Sequence, residues 1–366
     1  MPPGFSLPPQ ALRGVRVLDF SHVIAGPFAT FHLAQMGAEV IKVERPGGGD
    51  VMRRSASGAS AFTALNAGKV TREIDMGSDE GRAALLAYAR EADVLVDNYR
   101  PGVLQRHGLG HDDLKAINPR LVYCAISGYG YADPQRTGRG AYDHVIQALT
   151  GMTMLAGQEG DPPVKVGFPV VDAATGVIGA LAIMAALRER EHTGVGSFLD
   201  VSMWASALQL MYPFACDAMT LDHDIARVGN KGYSGSPAAD TFACLDGWLA
   251  IGANTPEHVA RLLAVLEIPT AEVAPMLEPA DTEAGARFAR ARDPKAFRDS
   301  LAARLADRSA AELEQRLNDV GVPCARVRTL REFTREAVET GLLHPVDLGE
   351  GEARAVTPGL GWRVLS

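Results

Sequence analysis

Residues 15–44 read VRVLDFSHVIAGPFATFHLAQMGAEVIKVE, and this stretch decides the fold. Two short runs, 15–20 and 39–44, are rich in valine, leucine and isoleucine, as strands usually are. Between them, apolar residues in 26–36 recur at helical spacing, and Gly37 ends the predicted helix. A strand–helix–strand unit places its two strands parallel in one sheet. The stretch therefore predicts an α/β fold with a parallel sheet.

The same alternation continues downstream. A helical pattern at 78–91 is followed by apolar strands at 94–96 and 121–126, and a long apolar helix is predicted at 173–190. We therefore predict a large α/β domain over residues 1–225.

The composition changes beyond that point. Residues 241–252 alternate as an antiparallel hairpin, and the helical segments that follow are rich in Ala, Arg and Glu. This pattern predicts a smaller α+β domain at 226–330. The remaining segment, 331–366, contains only short apolar pieces and is predicted to return to the large domain.

Composition narrows the class of protein. The formal net charge of −8 argues against a nucleic-acid partner, although an anionic substrate could still bind in a local basic pocket. The first twenty residues lack the pattern of a secretory signal. The longest apolar run, 176–187, is shorter than the roughly 20 residues that cross a bilayer. We expect a cytoplasmic protein without a membrane partner.

The four cysteines form no CxxC pair and are expected to be reduced, buried thiols. The nine histidines are scattered without an HExxH motif, so no metal site is predicted. The loop after the first strand, SHVIAG at 21–26, lacks the glycines of a dinucleotide-binding turn. The sequence GYSGS at 232–236 misses the last position of a nucleophile elbow, so a serine hydrolase has little support.

One carboxylate stands out in the segment VGFPVVDAATG at 166–176. Asp172 lies between an extended apolar stretch and an apolar helix. It could be a helix N-cap, because aspartate is preferred there. It could equally be a nucleophile, since a helix N-terminus favours the ionised carboxylate, and a carboxylate can attack an activated acyl group. Gly167 and Gly176 would leave room for an acyl thioester. Both interpretations can hold together.

The chain resembles the family III CoA-transferases over nearly its whole length. The resemblance is carried by five blocks in order: LDFSHVIAGP at 18–27, GAEVIKVERP at 37–46, VDNYRPG at 96–102, GAYDHVIQA at 140–148, and 166–194 around Asp172. Each block is short, but the five together in this order are specific.

The resemblance implies both a fold and a chemistry. Members are interlocked homodimers, and each subunit has a Rossmann-like, CoA-binding large domain, here 1–225, and a smaller domain. The site lies between the large domain of one subunit and the small domain of the other. An aspartate, here Asp172, attacks an acyl-CoA and forms an anhydride and then an aspartyl-CoA thioester. Acyl-CoA and a carboxylic acid are thus the expected substrates, with no tightly bound cofactor. Members of the family commonly use succinyl-CoA as the donor, so the resemblance implies this donor here.

The resemblance also implies which residues line the site. Three would form the substrate pocket beside Asp172, namely Ile24, Tyr142 and Asp143. Eight occupy positions where the family contacts CoA: His22, Val23, Ala25, Arg45, Lys69, Asn98, Tyr99 and Arg106. Lys42 and Arg100 are weaker candidates. A lone lysine or arginine among them could also be a solvated surface charge.

Two departures bear on the substrate. The racemase branch carries a histidine–aspartate pair where this chain has Tyr142 and Asp143, and tyrosine is a poor proton carrier at neutral pH. His144 is expected to point to a different helix face. Formyl-CoA:oxalate transferases carry glutamine at the position of Ile24, so oxalate is disfavoured. An acyl-CoA racemase and a non-catalytic CoA-binding protein remain the alternatives.

Overall fold

The computed structural model describes residues 10–54, 58–278, 288–348 and 355–362. The chain divides into two compact units. Unit 1 comprises Met1–Thr153, Lys165–Ile225 and Leu343–Ser366, and unit 2 comprises Met154–Val164 and Ala226–Leu342. The break at 225 coincides with the predicted one. Two segments differ from the predicted ranges, because 154–164 and 331–342 belong to unit 2.

Unit 1 alternates strands and helices along most of its length. Its elements are β1 (Arg16–Asp19), α1 (Ala25–Gln35), β2 (Glu39–Glu44), α2 (Gly58–Asn66), β3 (Lys69–Glu73), α3 (Asp79–Glu91), β4 (Val94–Asp97), α4 (His111–Ile117), β5 (Val122–Ser127), α5 (Asp143–Leu149), α6 (Val170–Thr193), β6 (Phe198–Ser202), α7 (Met203–Leu210) and α8 (Tyr212–Leu221).

The six strands of unit 1 form one parallel sheet in the order β3-β2-β1-β4-β5-β6, which confirms the predicted α/β class. The chain runs outward from β1 to β3 and then returns to place β4 on the other side of β1. Such a reversal opens a crevice at the carboxyl ends of the two central strands, where α/β proteins bind ligands. The loops after β1 and β4 meet there.

Helix α6 spans 24 residues and is longer at both ends than predicted. It packs on α1 at Gly176, where an added Cβ would lie 2.8 Å from the Ala25 carbonyl oxygen and 2.9 Å from Phe28 Cβ. The left-handed Gly194 ends the helix. Among the described helices, α6 alone has the length and composition to cross a bilayer, a test that core helices also pass.

Unit 2 is a small α+β unit around a three-stranded antiparallel sheet. Its strands are β7 (Ala239–Cys244), β8 (Gly247–Gly252) and β9 (Cys324–Arg326), and its helices are α9 (Pro256–Val265), α10 (Thr270–Val273), α11 (Pro294–Leu305), α12 (Ala310–Asp319) and α13 (Leu330–Glu339). Strands β7 and β8 form the predicted hairpin. The chain ends in unit 1 with the pair β10 (Val346–Leu348) and β11 (Ala355–Thr357).

Candidate active site

A cleft of about 540 Å³ opens in unit 1 at the carboxyl ends of β1, β4 and β5. The start of α6 forms one wall and brings Asp172 into the cleft. Most of the residues predicted for the site line it together: His22, Val23, Ile24, Ala25, Asn98, Tyr99, Arg106, Tyr142 and Asp172. The switch point of the sheet thus collects segments that are far apart in the chain.

Asp143 caps α6, although Asp172 was the candidate for this role. The helix begins at Val170, which places Asp172 inside the first turn. The backbone N–H groups of Val171 and Asp172 both donate to Asp143 Oδ2, at 2.8 and 3.1 Å. A cap from α5 therefore satisfies two of the amides that a helix start leaves unpaired. The N-cap interpretation of Asp172 is wrong.

The electrostatic expectation for Asp172 changes with this geometry. Burial and, to a smaller extent, the nearby carboxylate of Asp143 together raise the pKa of Asp172 from its ordinary value of 3.8 to about 7. The sequence had suggested that the helix start keeps Asp172 ionised. In the structure it does not. A carboxyl group with this pKa carries a proton part of the time at neutral pH. When ionised, it is poorly solvated and correspondingly reactive.

A second buried side chain continues this arrangement. Gln147 Nε2 donates to Asp143 Oδ1, and Gln147 Oε1 accepts the N–H of Val166 at 2.9 Å. Both Asp143 and Gln147 are buried. Together they fix the two ends of the segment 166–172 that carries Asp172. Gln147 was not predicted, because its partner lies 19 residues away and no local pattern points to it.

The loops after β1 and β4 are joined through Asn98. The backbone N–H of His22 donates to Asn98 Oδ1 at 2.9 Å, and Asn98 Nδ2 donates to the His22 carbonyl at 2.7 Å. The rings of His22 and Tyr99 lie 5.1 Å apart between centroids. The amide of Asn98 therefore shapes the wall of the cleft, while the two rings give that wall an aromatic face.

Arginines supply the local positive charge that the acidic chain was expected to need. Arg106, Arg100 and Arg139 all line the main cleft. Arg45 lines two adjoining cavities of about 230 and 240 Å³, and Tyr99 lies beside all three spaces. Arg139 was missed by the sequence analysis because it stands in an irregular loop outside the recognised blocks. Anionic groups can bind to such a set of guanidinium groups.

Lys69 does not fit its predicted contact with CoA. Its side chain is fully buried, and Nζ donates to Asp19 Oδ2 at 3.1 Å, the Pro27 carbonyl at 2.9 Å and Asn66 Oδ1 at 2.9 Å. An ammonium group has three N–H bonds, so no donor is left for a phosphate. Burial lowers the pKa of Lys69 to about 8 despite its carboxylate partner. The geometry is that of a structural ion pair beneath the cleft.

Tyr142 precedes α5 and reaches the cleft with a largely exposed ring. The ring of His144 stacks on it, with centroids 6.2 Å apart, so the predicted separation of these two side chains is wrong. The backbone of Tyr142 is extended because this residue is the N-cap, and helical rotation does not apply across it. Tyr142 still stands next to Asp143 at the position where the racemase branch carries a histidine.

The remaining reactive groups are the four cysteines and the side chains that could bind a metal ion. Cys124 is buried and Cys244 and Cys324 are partly buried, but Cys216 on α8 is exposed, contrary to the prediction. In the part of the chain that the structure describes, no three His, Cys, Asp or Glu side chains are grouped to hold a metal ion.

The chain is similar to known proteins over most of its length. The family model described as "CoA-transferase family III" matches residues 12–364. The chain is 36% identical over 344 residues to a succinyl-CoA:mesaconate CoA-transferase of Haloarcula hispanica, covering 88% of this chain and 82% of that protein. It is 33% identical over 333 residues to a succinyl-CoA:glutarate CoA-transferase of Mus musculus, covering 90% and 74%. A crystal structure of a CAIB/BAIF family protein from Brucella suis matches with a TM-score of 0.82 and 27% identity, over 96% of this chain and 92% of that one.

Proposed function

This chain belongs to CoA-transferase family III, and we propose that it moves CoA from succinyl-CoA to a second carboxylic acid through covalent catalysis at Asp172. It is a CoA-transferase that acts on acyl-CoA and carboxylic acid substrates. The observation that carries the proposal is the position of Asp172. Its carboxyl group faces a cleft with arginines in its wall, and its pKa is raised to about 7.

Succinyl-CoA is the proposed donor because relatives that cover most of the chain are named for it. They are named as transferases to mesaconate, glutarate and D-citramalate, all of which are dicarboxylates. We propose a dicarboxylate as the acceptor here as well. The guanidinium groups of Arg100, Arg106 and Arg139 support this choice, since they can pair with carboxylates and with the phosphates of CoA. The apolar Ile24 in the same cleft suits an acid larger than oxalate.

In the proposed first half-reaction, an ionised Asp172 oxygen attacks the thioester carbonyl of succinyl-CoA. The C–S bond breaks, CoA leaves as the thiolate, and an aspartyl–succinyl anhydride forms. The thiolate then attacks Cγ of Asp172. The anhydride C–O bond breaks, succinate leaves, and the side chain becomes an aspartyl-CoA thioester.

The second half-reaction runs these steps backwards with the acceptor. A carboxylate oxygen of the acceptor attacks Cγ of Asp172, and CoA leaves as the thiolate. The thiolate then attacks the acceptor carbonyl of the new anhydride and restores the Asp172 carboxylate. One thioester is exchanged for another, so no proton, electron or water molecule is consumed.

We also propose that the protein is a homodimer of the interlocked kind found in this family. The support is an apolar surface on unit 1. On α6, α7 and α8 large apolar side chains remain exposed in the single chain, namely Val177, Leu181, Leu210, Tyr212, Met219 and Leu221. Apolar patches of this kind mark association surfaces. Light scattering after size-exclusion chromatography should give twice the mass of the 38.8 kDa chain; a monomer would contradict the proposal.

The function is tested by trapping the acylated side chain. The enzyme is mixed with succinyl-CoA, quenched with hydroxylamine and digested, and the peptide containing Asp172 should carry a hydroxamate by mass spectrometry. Asp172→Ala should lose both the label and CoA transfer. The matched control Asp112→Ala removes a fully exposed carboxylate and should keep both.

Three outcomes decide between the candidate functions. Transfer without any label on Asp172 would contradict covalent catalysis. Deuterium exchange at the α-carbon of an acyl-CoA without an acceptor acid would indicate a racemase. CoA binding with neither transfer nor exchange would indicate a binding protein.

A further inference from the structure

We propose that Asp50 is a positioning residue for acyl-CoA binding, because its buried carboxylate holds the cleft loop 22–25 in a backbone conformation that the loop would not keep alone. The inference rests on the proposed function, since it assigns the ligand of this loop as the CoA part of the substrate. Asp50 itself does not line the main cleft around Asp172 and acts through Val23.

The conformation to be held is unusual. Val23 has φ of 69°, and it is one of three non-glycine residues with positive φ in the described chain. A β-branched side chain is disfavoured in this left-handed region, so the surrounding contacts must impose it. Val23 and its neighbours His22, Ile24 and Ala25 all line the cleft that contains Asp172. The strained residue is thus at the centre of the loop that faces the ligand.

Asp50 makes the contact that imposes this conformation. The N–H of Val23 donates to both carboxylate oxygens of Asp50, at 3.1 and 3.2 Å. The carboxylate is held in turn by the N–H of Met52 at 2.9 Å, and the backbone N–H of Asp50 donates to Glu44 Oε2 at 3.1 Å. An ionised acceptor makes a stronger bond to an N–H than a neutral one. The loop after β2 therefore serves as an anchor for the loop after β1.

Lys42 completes the anchor from beneath. Its Nζ lies 3.2 Å from Asp50 Oδ2 and donates to the Ser21 carbonyl at 2.7 Å, and both charged side chains are fully buried. The ion pair thus fixes the carbonyl on one side of His22 and the N–H on the other. A buried ion pair is a weak source of stability, because desolvation offsets the attraction. Its position is better explained by the geometry that it imposes on the cleft.

The test compares CoA binding with turnover in the purified full-length enzyme. For Asp50→Ala we expect the Kd of CoA by titration calorimetry to rise about tenfold, which is about 1.4 kcal/mol. The KM for succinyl-CoA should rise by a similar factor, while kcat and the KM for the acceptor acid change by less than about twofold. Asp50→Asn keeps an oxygen for the Val23 N–H without the charge, so its Kd should lie between those of Asp50→Ala and wild type.

Two further variants separate positioning from loss of stability. Lys42→Met combined with Asp50→Asn leaves no unpaired buried charge, so it should fold and still bind CoA more weakly than wild type. Asp93 lies before β4, at the opposite end of this strand from the cleft, and its Oδ1 is 2.9 Å from Arg190 Nη2. Asp93→Asn breaks this ion pair and should lower the melting temperature without changing the Kd of CoA.

The possible results are distinguishable. CoA binding by Asp50→Ala within about twofold of wild type would overturn this inference alone. So would equal weakening by Asp93→Asn, because the effect would then follow stability rather than the anchor. Failure of the wild-type enzyme to bind CoA would overturn the proposed function together with this inference.

Discussion

Replacing Asp172 with asparagine should stabilise the folded chain, and the gain should increase with pH. The reason is the raised pKa of this carboxyl group, which burial and then the charge of Asp143 move from 3.8 to about 7. Below pH 3.8 the group is protonated in both the folded and the unfolded chain and has no effect on stability. Between these values the folded chain keeps the proton and the unfolded chain releases it, so the free energy of unfolding falls as pH rises.

The magnitude follows from the two pKa values. Each pKa unit corresponds to about 1.4 kcal/mol, so ionising Asp172 in the folded chain costs about 4 kcal/mol above pH 7 before solvent screening is considered. The side chain is only partly buried, and screening reduces this to about 2–4 kcal/mol. Asparagine has nearly the same shape but never ionises. The advantage of Asp172→Asn over wild type should therefore be about 2 kcal/mol larger at pH 8 than at pH 5.

Urea denaturation at pH 5 and pH 8 measures this difference. The exposed carboxylate of Asp307 supplies the control, because Asp307→Asn should change the free energy of unfolding by less than about 0.5 kcal/mol at both pH values. An Asp172→Asn variant that is no more stable than wild type at pH 8 would refute the reasoning. So would an advantage that does not grow between the two pH values.

Four other substitutions, one of them a control, test the surroundings of the site. The kcat/KM of wild type for succinyl-CoA should increase with pH, with a midpoint near pH 7. Asp143→Asn removes the charge beside Asp172 and should therefore lower this midpoint. A series of kcat/KM measurements at different pH values would show both effects. Lys69→Met should lower the free energy of unfolding by about 3–5 kcal/mol in urea melts, because it leaves a buried carboxylate unpaired, yet it should leave the calorimetric Kd of CoA unchanged. Gly176→Ala should lower it by about 1–3 kcal/mol through overpacking against α1, whereas Gly167→Ala, which meets open space, should be neutral in the same melts.

The sheet could be predicted from the sequence because its signals are local. The apolar run at 39–44 has the bounds of β2 exactly as the structure shows them, and the repeated strand–helix order leaves few alternatives to a parallel sheet. The cleft could then be expected where the loops after β1 and β4 meet. Four of the five recognised blocks contribute residues to this cleft, since each of them ends a strand or begins a helix at the same edge. The remaining block, 37–46, places Arg45 at the two adjoining cavities instead.

Contacts between distant segments limited the prediction of individual roles. Lys69 follows the pattern of a charged residue at the start of a strand, and nothing near it in the sequence shows that Asp19, 50 residues earlier, takes up its ammonium group. Arg139 shows the opposite error, because it stands in an irregular loop and its place in the cleft depends on the path of that loop. Residue type alone could not separate a buried ion pair from a ligand contact.

A contact between distant segments also reversed the expected direction of the pKa shift of Asp172, the proposed nucleophile. Read locally, Asp172 stands at a helix start that would stabilise its charge. In the folded chain Asp143 receives the two amides at that start, so Asp172 is left with the burial and with a second negative charge beside it. A helix end can stabilise one carboxylate at the expense of another, and the more basic one is then the better nucleophile. The raised pKa of Asp172 thus has burial as its main cause, and the carboxylate of Asp143 that caps α6 adds to it.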